Sequence, residues 1–212
     1  MDRLDWAAIN AELDAEGYAL LPGLLGTEAA RGLARQIVRD EAAQRMPLAE
    51  LGRGELLAWS GHLPPPLQAW RAAFHPHLVA IANRWRQALG EDGRLAAAPG
   101  GGWPPSQASR LGVEGWMALR QGSEGGQGFP LQLVVLLSEP GVDFDGGEFV
   151  MTEQRPRMQS RPMVLPLRLG DAALIGAAAR PVWGAHGCYR VQMRHAISRV
   201  RRGERIGVEL GW

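Results

Sequence analysis

The sequence contains no lysine, a single cysteine and no long apolar run. Its one cysteine, Cys188, cannot form a disulfide within the chain, which is typical of a reducing compartment. No stretch approaches the roughly 18 consecutive apolar residues that would span a bilayer, and the charged opening residues do not resemble a signal peptide. These absences argue against a disulfide scaffold and a membrane protein, so we expect one cytoplasmic domain over residues 1–212.

Arginine supplies all 23 basic side chains, and eleven of them lie between Arg155 and Arg205. The same segment contains only Asp171 and Glu204 as acids, so it carries a net charge of +9. Because guanidinium groups pair bidentately with carboxylates and phosphates, the segment favours an anionic partner, either a small anion or a nucleic acid. A coding bias toward arginine is the alternative explanation, since a charged run is usually a solvated face.

The first 95 residues are predicted to be mainly helical. Asp5 can cap a first amphipathic helix that ends at Gly17. A short strand over Tyr18 to Leu21 follows, and a second helix is expected after Thr27. A triple-proline run then interrupts the chain, and a third helix is predicted to start near His75, with Pro76 in its first turn, and to end near Gly90.

Beyond a linker rich in glycine and proline, the periodicity changes to that of short strands. Closely spaced strands between glycine, proline and aspartate turns are typical of an antiparallel sandwich or barrel. We therefore expect a β core over residues 107–212. The predicted strands are Leu131 to Leu137, Glu148 to Thr152, Val164 to Leu169, Ala172 to Ala177, Tyr189 to Ile197 and Arg205 to Leu210.

One histidine lies on a strand face that is predicted to be buried. Between Tyr189 and Ile197 the odd positions are mainly apolar and include His195, whereas the even positions are mainly polar. A lone histidine in this setting is most often a hydrogen-bonded core residue. However, Arg205 begins the next strand ten residues later. An inward histidine followed by this arginine resembles the arrangement in the 2-oxoglutarate/iron(II) oxygenases.

The resemblance covers most of the chain and points to a bacterial branch proposed to repair alkylated nucleic acid. It implies an α+β fold in which a double-stranded β-helix, a jelly-roll of the cupin type, follows a helical N-terminal part. It also implies that His195 is an iron ligand and that Arg205 binds the distal carboxylate of 2-oxoglutarate. The segments that carry the resemblance are Gly52 to Glu55, Ile81 to Trp85, Phe129 to Gln132, Leu137 to Pro140, Gly146 to Phe149, Thr152 to Ser160, Arg194 with His195, and Ser198 to Val200.

Two positions depart from the iron site of that superfamily. In the superfamily a His-x-Asp pair supplies two of the iron ligands and lies just before the strand that begins near Phe129. At the corresponding positions this chain has Arg120 and Gly122. Arginine stays protonated and has no lone pair to offer a metal, and glycine has no side chain. Only His195 therefore remains of the facial triad, which argues against Fe(II) binding and leaves 2-oxoglutarate as the candidate cofactor.

Other residues could replace the missing ligands. A site built from His186, His195 and Glu124 would require the glycine-rich loop of residues 122–128 to fold inward. The remaining chemistry-bearing residues, each with an adequate structural explanation, are Glu148, His75, His77 and Cys188.

Three hypotheses of function remain open. In the first, the chain is a catalytically degenerate relative in which Arg120 and Arg205 hold a small anion for recognition or regulation, and arginines from Arg155 to Arg161 add affinity for nucleic acid. In the second, it is an active oxygenase with relocated ligands that oxidises alkylated nucleic acid or a small molecule. In the third, the β core is an interaction scaffold and His195 has no chemical role.

Overall fold

The structure is a computed structural model that describes residues 4–59, 61–95, 106–122, 128–185 and 187–212. Within these ranges the chain forms three α-helices, namely α1 (Trp6–Glu16), α2 (Thr27–Arg39) and α3 (Pro65–Ala88). The same ranges contain the strands β1 (Tyr18–Leu21), β2 (Gln44–Pro47), β3 (Gly52–Arg53), β4 (Glu55–Trp59), β5 (Ser106–Leu111), β6 (Trp116–Arg120), β7 (Leu131–Leu136), β8 (Phe144–Gly146), β9 (Phe149–Gln154), β10 (Arg161–Leu165), β11 (Ala172–Gly176), β12 (Ala179–Gly184), β13 (Gly187–Ile197), β14 (Val200–Gly203) and β15 (Arg205–Leu210).

Most of the strands belong to two antiparallel sheets. The larger sheet has the order β1-β11-β7-β15-β5-β4-β2, and the smaller has the order β10-β9-β13-β6-β3, with β12 paired to β13. Strands β8 and β14 form a separate pair. In chain order β5, β7, β11 and β15 lie in the larger sheet, whereas β6, β9, β10 and β13 lie in the smaller one. This alternation is the connectivity of a double-stranded β-helix and confirms the expected fold class.

The larger sheet is covered on both faces, which explains the continuous apolar run of β7. Leu133 and Val135 pack with the helices, whereas Val134 and Leu136 pack with apolar residues of the smaller sheet. Side chains alternate along a strand, so every second residue of β7 and β15 faces the space between the sheets. Polar residues at those positions are therefore enclosed together.

The predicted start and end of the first helix are confirmed. The Asp5 carboxylate accepts hydrogen bonds from the backbone N–H groups of Ala7 and Ala8, each at 3.0 Å. Gly17 ends the helix with a φ of 79°, a conformation that glycine adopts without steric cost. None of the described helices is long and apolar enough to cross a bilayer.

Three details of the predicted secondary structure are wrong. Helix α3 begins at Pro65, because a proline at the first helical position supports helix initiation rather than breaking the chain. The helix then continues through Pro76. The N-terminal part also contributes strands β2, β3 and β4, which pair with the core strands β5 and β6 and could not be recognised from local periodicity. Strand β10 ends at Leu165, since Pro166 has no N–H to continue the ladder. The linker at residues 96–105 lies outside the described residues.

Candidate functional site

The two sheets bring together residues that are distant in sequence. His195 on β13 is paired in register with Arg120 at the end of β6. Odd-numbered residues of β13 from Val191 to Ile197 are buried, as predicted, so His195 points into the core. Arg205 and Glu209 project from β15 of the opposite sheet. The inner positions of three strands thus form one enclosed polar site.

Arg120 forms an ion pair with Glu209 inside the barrel. Its Nη2 atom lies 2.6 Å from Oε2 of Glu209, and the two side chains are only 13% and 7% exposed. Gln107 donates a hydrogen bond to the same oxygen at 2.8 Å. His195 Nε2 lies 3.9 Å from it. The fixed cation expected at position 120 is therefore present, and its partner is a carboxylate of the same chain.

The charges around Glu209 determine its ionisation. Burial alone would raise the pKa of this carboxyl, but His195 and the Arg120 guanidinium outweigh burial and hold the pKa well below its usual range. Glu209 is therefore ionised in the folded protein, and its charge balances that of Arg120. Sequence periodicity places Glu209 on the Arg205 face of the last strand, but gives no indication that Arg120 is its partner.

The depressed pKa of Glu209 predicts a loss of stability in acid. An unfolded chain protonates this carboxyl near its ordinary value of 4.5, whereas the folded protein resists protonation. The contribution is therefore complete above about pH 4.5 and declines as the pH falls, by at most about 1.4 kcal/mol per pH unit. We expect chemical denaturation of Glu209→Gln to show a shallower decline below pH 4.5 than wild type. Equal slopes would contradict this assignment.

Arg205 is a buried cation that has no partner in the part of the chain that the structure describes. The residue is 3% exposed, and its Nε and Nη1 atoms are buried without a hydrogen bond. Burial lowers the pKa of Arg205 to about 10, and the charge of Glu209 opposes this shift. An unpaired buried guanidinium is costly unless an anion reaches it. Arg205 therefore fits one carboxylate or phosphate of a ligand.

Gly122 does not have room for the aspartate that the resemblance calls for. A Cβ atom added at this position would lie 2.7 Å from Cβ of Ala177 and 2.6 Å from Cδ of Gln132. The Gln132 side chain can move, but the Ala177 Cβ is fixed to its backbone. The backbone N–H of Gly122 also donates to the carbonyl of Ala177 at 2.8 Å, which holds the two segments together.

The other described residues near His195 do not fit an iron centre. His195 stacks on Phe149 with ring centroids 5.6 Å apart, and neither of its nitrogen atoms has a hydrogen-bond partner. The Nε2 atom of His195 could coordinate a metal, but the nearest carboxylate, that of Glu209, is already paired with the Arg120 guanidinium. Among the described residues no group of three His, Cys, Asp or Glu side chains could hold a metal.

The other residues singled out in the sequence have separate places. His186 and Glu124, two members of the alternative metal site, lie outside the described residues. Glu148 accepts a hydrogen bond from the hydroxyl of Ser198. His77 stacks on Trp6 with ring centroids 4.0 Å apart, which ties α3 to α1. Sequence reasoning missed Gln107, because its contact with Glu209 depends on pairing between β5 and β15.

Comparison with known proteins identifies relatives over most of the chain. Residues 54–212 match the Oxygenase-NA family, described as an oxygenase catalysing oxidative methylation of damaged DNA. Uncharacterized proteins from two strains of Mycobacterium tuberculosis are 36% identical over 154 residues, which is 68% of this chain and 66% of each relative. The alignment thus covers just under two thirds of the length of these relatives.

Solved structures share the fold at low sequence identity. A Pseudomonas putida prolyl-4-hydroxylase superposes with a TM-score of 0.64 at 14% identity, covering 97% of this chain and 96% of that chain. A 2OG-Fe(II) oxygenase family protein from Burkholderia pseudomallei has a TM-score of 0.58 at 15% identity, covering 98% and 90%. A Trichoplax adhaerens prolyl hydroxylase has a TM-score of 0.62 at 12% identity, covering 96% and 86%. These structures show that the chain has the fold of 2OG-Fe(II) oxygenases, and the family match over residues 54–212 shows that it belongs to the Oxygenase-NA family.

Proposed function

We propose that this chain is a catalytically degenerate member of its family, which binds a small anion at Arg205 for recognition or regulation. The observation that carries the proposal is the ion pair of Arg120 and Glu209 at 2.6 Å, next to the retained His195. A guanidinium supplies positive charge there without offering a coordination site. Among the described residues, Nε and Nη1 of Arg205 have no hydrogen-bond partner, so this guanidinium is available to an external anion.

The proposal differs from the sequence-based hypothesis in the role of Arg120. That hypothesis paired Arg120 with Arg205 around one external anion. In the structure Arg120 is neutralised by Glu209, so it stabilises the interior and keeps Arg205 as the cation available to a ligand. The anion-binding function proposed here therefore depends on Arg205 alone.

Metal stoichiometry separates the proposal from the active oxygenase with relocated ligands. Under anaerobic conditions we expect the purified protein to bind far less than one equivalent of Fe(II), and after oxygen is admitted we expect no succinate to form from 2-oxoglutarate. His195→Ala should leave the small amount of bound iron unchanged. Near-stoichiometric iron that is lost in His195→Ala, together with succinate formation, would replace our proposal by the active enzyme.

Nucleic acid is a second candidate partner, because the family description names damaged DNA. Arg155 is already paired with Glu153 at 2.7 Å, whereas Arg157 and Arg161 are exposed on the turn between β9 and β10 and at the start of β10. We expect weak binding to single-stranded DNA that declines steeply as salt concentration rises and is reduced in Arg157→Gln/Arg161→Gln. Absence of binding at low salt would remove nucleic acid from the proposal.

A further inference from the structure

A cavity of about 270 Å³ opens next to Arg205, between the segment that follows β7 and the end of β10. We call it the Arg205 cavity. Its volume lies just below the roughly 300 Å³ at which pockets for small organic molecules begin, so it suits a small ligand. Most of its wall is apolar, and the side chains that form this part are Leu136, Phe144, Phe149, Val164, Leu165 and Leu167.

Arg205 is the one cationic side chain among the residues that line this cavity. Two carboxylates also line it, but both have partners. Asp145 is 2.5 Å from Nε of Arg202, and Glu148 accepts a hydrogen bond from Ser198. The cavity thus combines one buried, unpartnered positive charge with an apolar wall.

The opposite side of Arg205 offers almost no space. Between Arg205, Gly207 and Glu209 the void measures only about 10 Å³, close to the minimum that holds one water molecule. A Cβ atom added at Gly207 would lie 2.7 Å from Nη1 of Arg205, so the guanidinium already fills this region. The body of a ligand bound to Arg205 must therefore lie in the Arg205 cavity, and not between Arg205 and Glu209.

We propose that the Arg205 cavity binds a monoanion with an apolar body, such as a short aliphatic or aromatic monocarboxylate. This inference rests on the proposed anion binding at Arg205 and names the class of ligand. One carboxylate satisfies the guanidinium, and the hydrocarbon part replaces water along the apolar wall. A second carboxylate, as in 2-oxoglutarate, would lose its hydration without meeting another cation, which disfavours dicarboxylates.

Calorimetric titration with acetate, butyrate, hexanoate and octanoate tests the apolar part of the site. We expect affinity to rise by up to about fourfold for each added methylene until the cavity is filled. Glutarate and 2-oxoglutarate should bind more weakly than hexanoate. Hexanol, which has the apolar body without the charge, should also bind more weakly.

Three variants and one matched control locate the site. Arg205→Met should weaken hexanoate binding about tenfold or more, and Arg205→Lys should retain part of it because the charge is kept. Val164 lines the cavity and is 59% exposed, so Val164→Trp can fold while its ring obstructs the cavity. Val113, 56% exposed and outside the cavity, provides the matched control Val113→Trp. Only the first of these two tryptophan variants should lose hexanoate affinity.

The outcomes distinguish this inference from the proposed function. Tighter binding of glutarate or 2-oxoglutarate than of hexanoate, lost in Arg205→Met, would overturn the monoanion and leave anion binding at Arg205 intact. Hexanoate binding that Val164→Trp does not reduce would overturn the cavity as the site. If no carboxylate binds the wild-type protein, both proposals fail.

Discussion

Arg120→Met is expected to lower the free energy of unfolding by about 3–5 kcal/mol, because it leaves the Glu209 carboxylate inside the barrel without its cationic partner. Arg120 and Glu209 are 13% and 7% exposed, so water does little to compensate the charge that remains. Equilibrium unfolding in urea measures the effect.

A double variant separates the ion pair from the packing of its side chains. Arg120→Met/Glu209→Met removes both charges and should recover most of the stability lost in Arg120→Met. Arg199→Met, which breaks an exposed pair with Glu114, serves as the control and should cost no more than about 1 kcal/mol. If Arg120→Met is no more costly than Arg199→Met, the internal ion pair does not stabilise the barrel interior.

Restoring the His-x-Asp sequence by Arg120→His/Gly122→Asp is expected to destabilise the protein strongly without creating a stoichiometric iron site. The new side chain at position 122 meets the fixed Cβ of Ala177, and overpacking of this kind costs roughly 1–3 kcal/mol. Loss of the Arg120 guanidinium leaves the buried Glu209 carboxylate without its cationic partner, at a further cost of about 3–5 kcal/mol. Together these costs approach the roughly 5–15 kcal/mol that stabilises a typical domain. Thermal unfolding and iron analysis measure both effects.

Matched variants show which contact is responsible. Gly112 has no atom within 4 Å of an added Cβ, so Gly112→Asp should be tolerated. Adding Ala177→Gly and Glu209→Leu to the restored sequence relieves both conflicts and should recover stability. One equivalent of iron in the simple double variant, with a melting temperature like that of wild type, would show that degeneration is confined to the two ligand positions.

These predictions depend on the packing around positions 120 and 122. Gly122 is packed against Ala177 and Gln132, and Glu209 supplies the counter-charge for Arg120. The two positions are therefore in contact with residues on β7 and β15 and with the residue that follows β11.

Local sequence patterns were sufficient where one strand or helix determines the outcome. Alternation along β13 correctly predicted that His195 is buried, and the bounds of β15, Arg205–Leu210, match the prediction. The cap at Asp5 and the stop at Gly17 depend only on neighbouring backbone groups, so they were also predictable. Helix α3 was predicted too short, because proline signals were interpreted as a break instead of as a helix start.

Periodicity in the sequence by itself predicted an antiparallel sandwich or barrel and the inward direction of His195. The double-stranded β-helix, and the departure of Arg120 and Gly122 from the iron ligands, followed from the resemblance to the oxygenases. Only the tertiary structure decided that Arg120 binds Glu209, 89 residues away, and that Nε and Nη1 of Arg205 have no hydrogen-bond partner among the described residues. The physical reason is that both outcomes depend on which strands of opposite sheets face each other. The Arg205 cavity has the same origin, because its wall combines residues from strands and loops that no local pattern connects.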